Sequence, residues 1–410
     1  MPDALKSGIS QKPLSAVPEQ LWDVIIIGAG PAGSTAAVKL ASLGHQVLLV
    51  DKMRFPREKV CGDGLVADAL NCLEHIGLRE RVESLGHQSM VGRVFSRSRI
   101  EYELPLAPFI TIKRERLDSL IAEKAVQSGA TFARETVADI AMESDGLRAC
   151  CRSASGKAVR ARVITIATGA NTRLPQRVGM GQAPEATHVA VRCYARSSFT
   201  IDYPVMSYDE SVLPGCAWIF PLGEDEYNIG CCIRSRDVMR HHVNIQKTLK
   251  RFLSDFPSAR QLMDHADNIT PLRGSILRTG FQGVKPYVES KGLLAVGEVI
   301  GTTLPLSGEG IGKAMESGEL AADVIHEALH SGTLTPLRQF PAMLEARIKP
   351  RYSSYERAER WIITPWLNDL VAMALKKNSR LREELAGVLR ETVSPGAVFS
   401  LRGVLKSLWT

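Results

Sequence analysis

Several things are scarce in this chain of 410 residues. No stretch offers about 18 uninterrupted apolar residues, so no transmembrane helix is expected. The first 20 residues are polar, hold three prolines and contain no apolar core. They read as a disordered leader, residues 1–20, and not as a signal peptide. None of the eight cysteines form a C-x-x-C, and two pairs are direct neighbours, Cys150-Cys151 and Cys231-Cys232. That pattern excludes a disulfide framework and a zinc ribbon, and places reduced thiols in the cytoplasm. His45 and His241-His242 have no carboxylate or cysteine at ligand spacing, so no metal site is expected. Walker loop, Ser-His-Asp order, internal repeat and low-complexity tract are all missing.

What is present is ordinary globular composition, 45% hydrophobic and 23% charged, with length for two or three domains. The net charge of +7 is concentrated late: residues 336–410 hold 13 Lys and Arg against 7 Asp and Glu. Either this tail is drawn to an anionic membrane, or it is a solvated helical face. Nucleic acid is not expected as a partner.

The stretch from Asp23 to Asp51 organises the rest. Val24 to Ile27 is a β-branched run suited to a strand buried on both faces. Gly28, Gly30 and Gly33 follow in G-x-G-x-x-G spacing, with Ala32 between the last two. Ser34 to Leu43 reads as a helix closed by Gly44, and Gln46 to Val50 as a second strand. Asp51 stands 18 residues beyond Gly33, next to Lys52, where a ribose-binding acid belongs. The glycines allow a tight turn, the approach of a pyrophosphate, and close helix–strand packing. Strand, helix and acid together predict dinucleotide binding.

Further on, Leu65–His75 and the stretch from Ile110 to Gly129 read as helices. Strands are expected around Thr131–Ala141, Leu147–Arg152 and Val159–Ile166. From His188 to Arg234 short strands recur as in an antiparallel sheet. Val243–Leu262 reads as one helix. Gly292–Gly297 returns to a buried strand that leads through a glycine-rich loop into a long helix. After Pro336 the chain reads as helical, broken at Pro350, Pro365 and Pro395. Trp361, Trp366 and Trp409 either face a membrane, with Leu367, Val371 and Leu375, or pack this region onto its own core.

Four further motifs, with Gly215 to Pro221, make the chain from about Trp22 to Leu329 resemble the flavoprotein family that includes para-hydroxybenzoate hydroxylase, and most of all its geranylgeranyl reductase branch. The first is Phe55 to Gly64, with Cys61-Gly62 where halogenases usually carry glycine-glutamate-serine. The second is Arg114 to Asp118, the third Ala167-Thr168-Gly169-Ala170. The fourth runs from Ala295 to Ala322, with Gly297-Glu298 in place of the family's glycine-aspartate, then Pro305 to Ile311. Gly215 to Pro221 is similar to the reductases' tryptophan-x-phenylalanine-proline motif, with Cys216 where many have tyrosine.

The resemblance implies an α/β fold: a Rossmann-type FAD-binding domain (21–185 and 270–335) interrupted by an antiparallel-sheet substrate domain (186–269), with a C-terminal helical region (336–410). It implies FAD held by Gly28, Gly30, Ala32, Gly33, Asp51, Lys52, Cys61, Gly62, Arg114, Thr168, Gly169, Glu298, Pro305, Gly308, Gly310 and Ile311. NAD(P)H or another reductant would supply electrons. It further implies saturation of C=C bonds in an isoprenoid, geranylgeranyl or polyprenyl, by hydride from reduced flavin. Cys61 or a nearby water would supply the proton, since an isolated C=C needs hydride on one carbon and a proton on the other. Trp218 and Phe220 would line the lipid pocket. The alternatives are that Cys61 merely fits its loop, that Arg114 is solvated, and that the two aromatics are plain sheet core. At the level of function the runners-up are an FAD monooxygenase or halogenase of an aromatic or polyketide-like substrate, and an electron carrier or adaptor. A lipid substrate adds peripheral contact with the inner face of a membrane as an expectation.

Overall fold

The computed structural model describes residues 9–142, 149–288 and 292–398. The chain enters through β1 (Leu21–Ile27), α1 (Pro31–Ser42) and β2 (Val47–Asp51). Then come α2 (Ala67–His75), β3 (His87–Phe95), β4 (Glu101–Thr111), α3 (Arg114–Gln127), β5 (Thr131–Arg134) and β6 (Ala158–Ile166). Between β5 and β6 two strands, Val137–Met142 and Ala149–Ser153, form an antiparallel meander that joins the edge of β6. β7 (His188–Ser197), β8 (Val205–Ser207), β9 (Cys216–Gly223) and β10 (Glu226–Arg234) follow, then α4 (Ile245–Asp255) and α5 (Pro257–Asp264). The chain returns through β11 (Leu293–Ala295) and α6 (Ile311–Ser331) and ends in α7 (Tyr352–Ile362), α8 (Pro365–Lys377) and α9 (Ser379–Leu389).

The first sheet has the central order β5-β2-β1-β6-β11, all parallel. Ile25 lies beside Leu48 on one flank and Ile164 on the other, and Ile164 beside Leu293. Strands buried on both faces must be continuously apolar, which is why Val24 to Ile27 and Val47 to Val50 show no alternation. The parallel order places the β1–α1 turn and the C-terminal ends of β2, β6 and β11 along one edge, where such sheets bind ligands.

The second sheet runs β7-β10-β9-β8-β3-β4 and is antiparallel except for β8 beside β3. Its strands alternate. Val191, Cys193, Ile219, Ile229 and Cys231 face α4 and α5 and form a core with Leu249, Phe252 and Phe256. By the same period of two, Arg192, Tyr194, Trp218, Phe220 and Asn228 lie on the other face.

Several expectations meet differences. The leader is ordered where it is described: Lys12–Pro13 pairs with β5, and Leu14 and Val17 are buried. A polar segment can hold a fixed place once two apolar side chains reach the core. Val243–Leu262 is two helices, because Pro257 starts a new one at N1 after Phe256 leaves helical geometry. β3 and β4, within 21–185, pair into the second sheet through β8. Val371 and Leu375 are core residues and Trp361 packs against that core, so this side of α8 is not a membrane face. Trp366 is 69% exposed. Trp409 lies outside the described residues.

Candidate flavin site between the two sheets

The β1–α1 turn is built for close approach. Gly28 has φ +110°, and a Cβ there would lie 2.2 Å from the Ala167 carbonyl oxygen at the end of β6. A Cβ on Gly33 would lie 1.9 Å from the Gly28 carbonyl. Gly30 meets nothing nearer than Arg57, at 3.6 Å. α1 starts at Pro31, and no side chain caps it. Asp51 ties this turn to β2: one carboxylate oxygen accepts the Ala29 N–H at 2.9 Å, the other the Met53 N–H at 2.8 Å. Each oxygen keeps a lone pair for a ribose hydroxyl. Lys52 is exposed. Ala32 packs where α1 meets Gly297 and Gly318, whose added Cβ atoms would clash with it.

Arg57 was not among the sequence candidates, although the FPR motif contained it. Its guanidinium lies 3.7 Å from Asp51 and 3.1 Å from Asp118, over the ring of Phe55. Arg114 is buried. It makes a two-pronged pair with Asp118, at 2.6 and 2.9 Å, and its charge lies near the Cys61 thiol. With Asp51 as the second acid the two guanidiniums are balanced in charge, and what they bring to the glycine turn is N–H donors of the kind that suit a pyrophosphate.

At the second flank Gly169, in left-handed geometry, lies near Glu298: a Cβ on it would be 3.8 Å from that carboxylate. The extra methylene of glutamate is accommodated, and Glu298 accepts the Arg278 N–H at 3.4 Å. Thr168 donates to the Asn171 carbonyl, closing its turn. Arg278, also missed from the sequence, is buried against the Ala170 and Pro184 carbonyls, and burial lowers its pKa. The third wall is the loop Pro305 to Gly310. Gly308, at φ +68°, has open space where a Cβ would be. Gly310 presses on Thr303, and Ile311 opens α6, again without a capping side chain.

The fourth part is the turn Cys61 to Gly64 under the second sheet. A Cβ on Gly62 would meet the Phe220 ring at 3.4 Å and Trp218 at 3.7 Å. Asn228 organises the turn. Its amide donates to the Cys61 carbonyl and to Asp63, both at 2.8 Å, and accepts the Trp218 indole N–H at 3.0 Å. Asp63 also accepts the Tyr194 hydroxyl at 2.7 Å and the Arg114 N–H at 3.2 Å. Burial raises the Cys61 pKa, so the thiol keeps its proton at neutral pH. Burial raises Asp63 to about 6, against its four hydrogen-bonding and charged neighbours. Neither Asp63, Tyr194 nor Asn228 was picked out from sequence; Asp63 was visible between the two glycines, the others only as strand residues.

These walls fit FAD. Two uncapped helix N-termini, of 12 and 21 residues, offer free N–H groups and positive potential. The glycines leave backbone bare where a phosphate or a flat ring would lie, and two arginines flank the first turn. The residues that would hold the cofactor are Gly30, Ala32, Asp51, Arg57 and Arg114 at the pyrophosphate and ribose. Gly169 and Glu298 would sit at the second flank, and Gly62, Gly308 and Gly310 at the ring.

Comparison with known proteins agrees with this fit. The family described as FAD binding domain matches residues 22–205. The menaquinone reductase of Mycobacterium tuberculosis is 31% identical over 323 residues, 74% of this chain and 76% of that protein. The digeranylgeranylglycerophospholipid reductase 1 of Methanothermobacter thermautotrophicus is 26% identical, over 83% of this chain and 87% of its own. Among solved structures a flavin-dependent brominase shares the fold, with TM-score 0.75 and 20% identity over 95% of this chain and 98% of that one. Glycine turn, uncapped helices and relatives converge: this chain is an FAD-binding oxidoreductase and belongs to the geranylgeranyl reductase family, within the para-hydroxybenzoate hydroxylase-like flavoproteins.

Proposed function

We propose that the chain saturates C=C bonds of an isoprenoid lipid, geranylgeranyl or polyprenyl, with NAD(P)H or another donor as the source of electrons. The observation that carries this reading is the Cys61–Gly64 turn, which sets the protonated Cys61 thiol beneath the aromatic face of the second sheet. FAD, when bound, supplies hydride and accepts it from the donor. The chain's own residues do the rest. Trp218 lies across Gly230, where a Cβ would come within 2.2 Å of the indole, and Asn228 fixes its rotation. With Phe220 tilted beside it at 6.3 Å, it forms a flat apolar wall suited to a prenyl chain. Cys61, its carbonyl held by Asn228 and its thiol kept neutral by burial, would protonate the second carbon. Menaquinone and digeranylgeranylglycerophospholipid both carry polyprenyl chains, which supports the same substrate class here. A lipid substrate also favours peripheral contact with an anionic membrane, through exposed Trp366 and Met373 and the basic end of α8, Lys376 and Lys377.

The test is a single anaerobic turnover. Protein reduced with dithionite is mixed with polyprenyl lipid, and flavin absorbance and lipid mass are followed. Reoxidation with two hydrogens gained per double bond supports the reductase. The brominase likeness favours a second reading, a monooxygenase or halogenase. That reading wins if reoxidation needs oxygen and the product gains an oxygen or halogen atom.

A further inference from the structure

A cavity of about 370 Å³ opens beside α4, which covers the face of the second sheet turned away from Trp218 and Phe220. Its walls are the β3–β4 tip, the segment after β8 and the end of α4. They carry three arginines and three acids, so the cavity is neutral overall. Arg99 binds the buried Asp209 carboxylate at 2.5 Å. Arg97 meets Glu210 at 3.3 Å, an exposed pair weak enough for a ligand to displace. Arg251 and Asp255 are different. They stand four residues apart on α4, the spacing at which opposite charges pair, yet they do not pair. Arg251 donates instead from Nε to the Ser211 carbonyl at 2.7 Å and from Nη2 to the Glu210 carbonyl at 3.1 Å. The Asp255 carboxylate accepts only the neighbouring Ser254 hydroxyl, at 2.7 Å, among the described residues. Arg99 reaches the Asp255 backbone carbonyl, at 3.0 Å, and not its carboxylate. One cation and one carboxylate therefore face the cavity without a counter-charge in contact, about 6 Å apart along the helix axis. Each guanidinium has five N–H donors, so Arg97 and Arg251 keep donors to spare after these bonds.

Such a wall is complementary to a zwitterion. A bare anion would gain the arginines but meet the acids, whereas a ligand with both charges satisfies each. The place of the cavity points to its source. Ser98 on the rim donates from Oγ to Asp369 at 2.7 Å and from its N–H at 3.0 Å, and the Arg97 N–H donates to Asn368 at 2.9 Å. Both acceptors lie near the start of α8. Trp366, one turn before Asp369 and 69% exposed, therefore stands beside the rim. We propose that this cavity binds the headgroup of a phospholipid that carries a phosphate and a primary ammonium, the phosphate on Arg97 and Arg251 and the ammonium on Asp255 and Glu210, with Trp366 in the membrane interface next to it. The inference rests on the membrane contact proposed above and adds a headgroup preference to it. Lys376 and Lys377 supply attraction to any anionic lipid, and the cavity selects the ethanolamine type. A quaternary ammonium has no N–H to give the two carboxylates, so a choline headgroup fits less well.

The test has two arms on the full chain. In the first, O-phosphoethanolamine, phosphocholine and inorganic phosphate are titrated by calorimetry. Phosphoethanolamine should bind about tenfold tighter than either of the others, the worth of one charge-assisted hydrogen bond. Asp255→Asn, which keeps the shape and breaks no ion pair, should lose that advantage, keep phosphate binding and keep its FAD. Arg97→Gln should weaken binding of all three. In the second arm the protein is floated with phosphatidylcholine vesicles of fixed phosphatidylglycerol content, with and without phosphatidylethanolamine. Wild type should float more when phosphatidylethanolamine is added, and Asp255→Asn should lose only that gain. Equal affinity for the three compounds, or an undiminished advantage in Asp255→Asn, would overturn the cavity assignment. Tight binding of free phosphoethanolamine with no gain in flotation would overturn the lipid as its source and leave a soluble zwitterion. Failure of the membrane reading shows separately, as no flotation with any vesicle, and the calorimetry still decides what the cavity binds.

Discussion

Replacing Lys313 by methionine should destabilise the protein in a pH-dependent way. Lys313 is 3% exposed in the first turn of α6, directly after the flavin-facing loop. Its ammonium is 2.6 Å from Glu391, 3.1 Å from Glu316 and 3.7 Å from Asp68. These acids come from just beyond α9, from α6 itself and from α2, so one cation joins three parts of the chain. Glu309, in the loop before α6, feels the same acids and is pushed well above the usual carboxylate range, mainly by burial. Removing one partner of a buried ion pair costs about 3–5 kcal/mol, because the other charge stays buried. Asp68 sits at about 6 even with Lys313 present, raised chiefly by burial. A carboxyl raised on folding favours the folded state below its unfolded pKa, and that contribution is lost as pH rises through the folded value. Without Lys313 the Asp68 pKa rises further, so acid should rescue the variant. Urea unfolding should therefore show Lys313→Met losing about 3–5 kcal/mol near pH 8 and clearly less near pH 5.5. A loss under about 1 kcal/mol near pH 8, or an equal loss at both pH values, would refute the argument.

Gly33→Ala puts a methyl 1.9 Å from the Gly28 carbonyl, backbone that cannot yield cheaply. It should purify without flavin absorbance, and full FAD content would contradict the assigned turn. Gly230→Ala puts a methyl 2.2 Å from the Trp218 ring and 2.6 Å from the Val191 carbonyl. It should displace the indole, keep FAD and lower lipid turnover, with a stability loss of about 1–3 kcal/mol by urea unfolding. Unchanged turnover would remove Trp218 from the pocket wall. Trp366→Asp with Lys376→Glu and Lys377→Glu should abolish flotation with anionic vesicles and leave FAD content intact; wild type that does not float would end the membrane proposal.

What could be read from the sequence depended on how far apart the interacting residues are. Gly28, Gly33 and Asp51 close their contacts largely within one β-α-β unit, and spacing reports that geometry directly. The break at Pro257 was equally local, and helical periodicity on both sides concealed it. β3 carries no mark that its partner is β8, more than 100 residues on, so β3 and the β4 paired to it were read with the cofactor domain. The same holds for the site. Cys61 and Gly62 stood out as a motif, whereas Tyr194 and Asn228 acquire meaning only when β7 and β10 bring them onto Asp63. Lys313 looked like any lysine on a helix until three distant acids converged on it.

The clustering of these unread residues has a physical reason. An unpaired buried carboxylate is costly, so each one recruits donors from wherever the fold can supply them. Asp63 draws on α3, β7 and β10, and Asp118 on Arg57 and Arg114. Networks of this kind cross between elements by necessity, so they hold the Cys61 turn against the second sheet and the Arg57 loop against α3. Among the described residues Asp118 has only guanidiniums for side-chain partners, and it serves as a brace. Asp118→Asn should therefore release Arg57 and Arg114 and lose cofactor binding, seen as loss of flavin absorbance on purification; full flavin content would refute the bracing role.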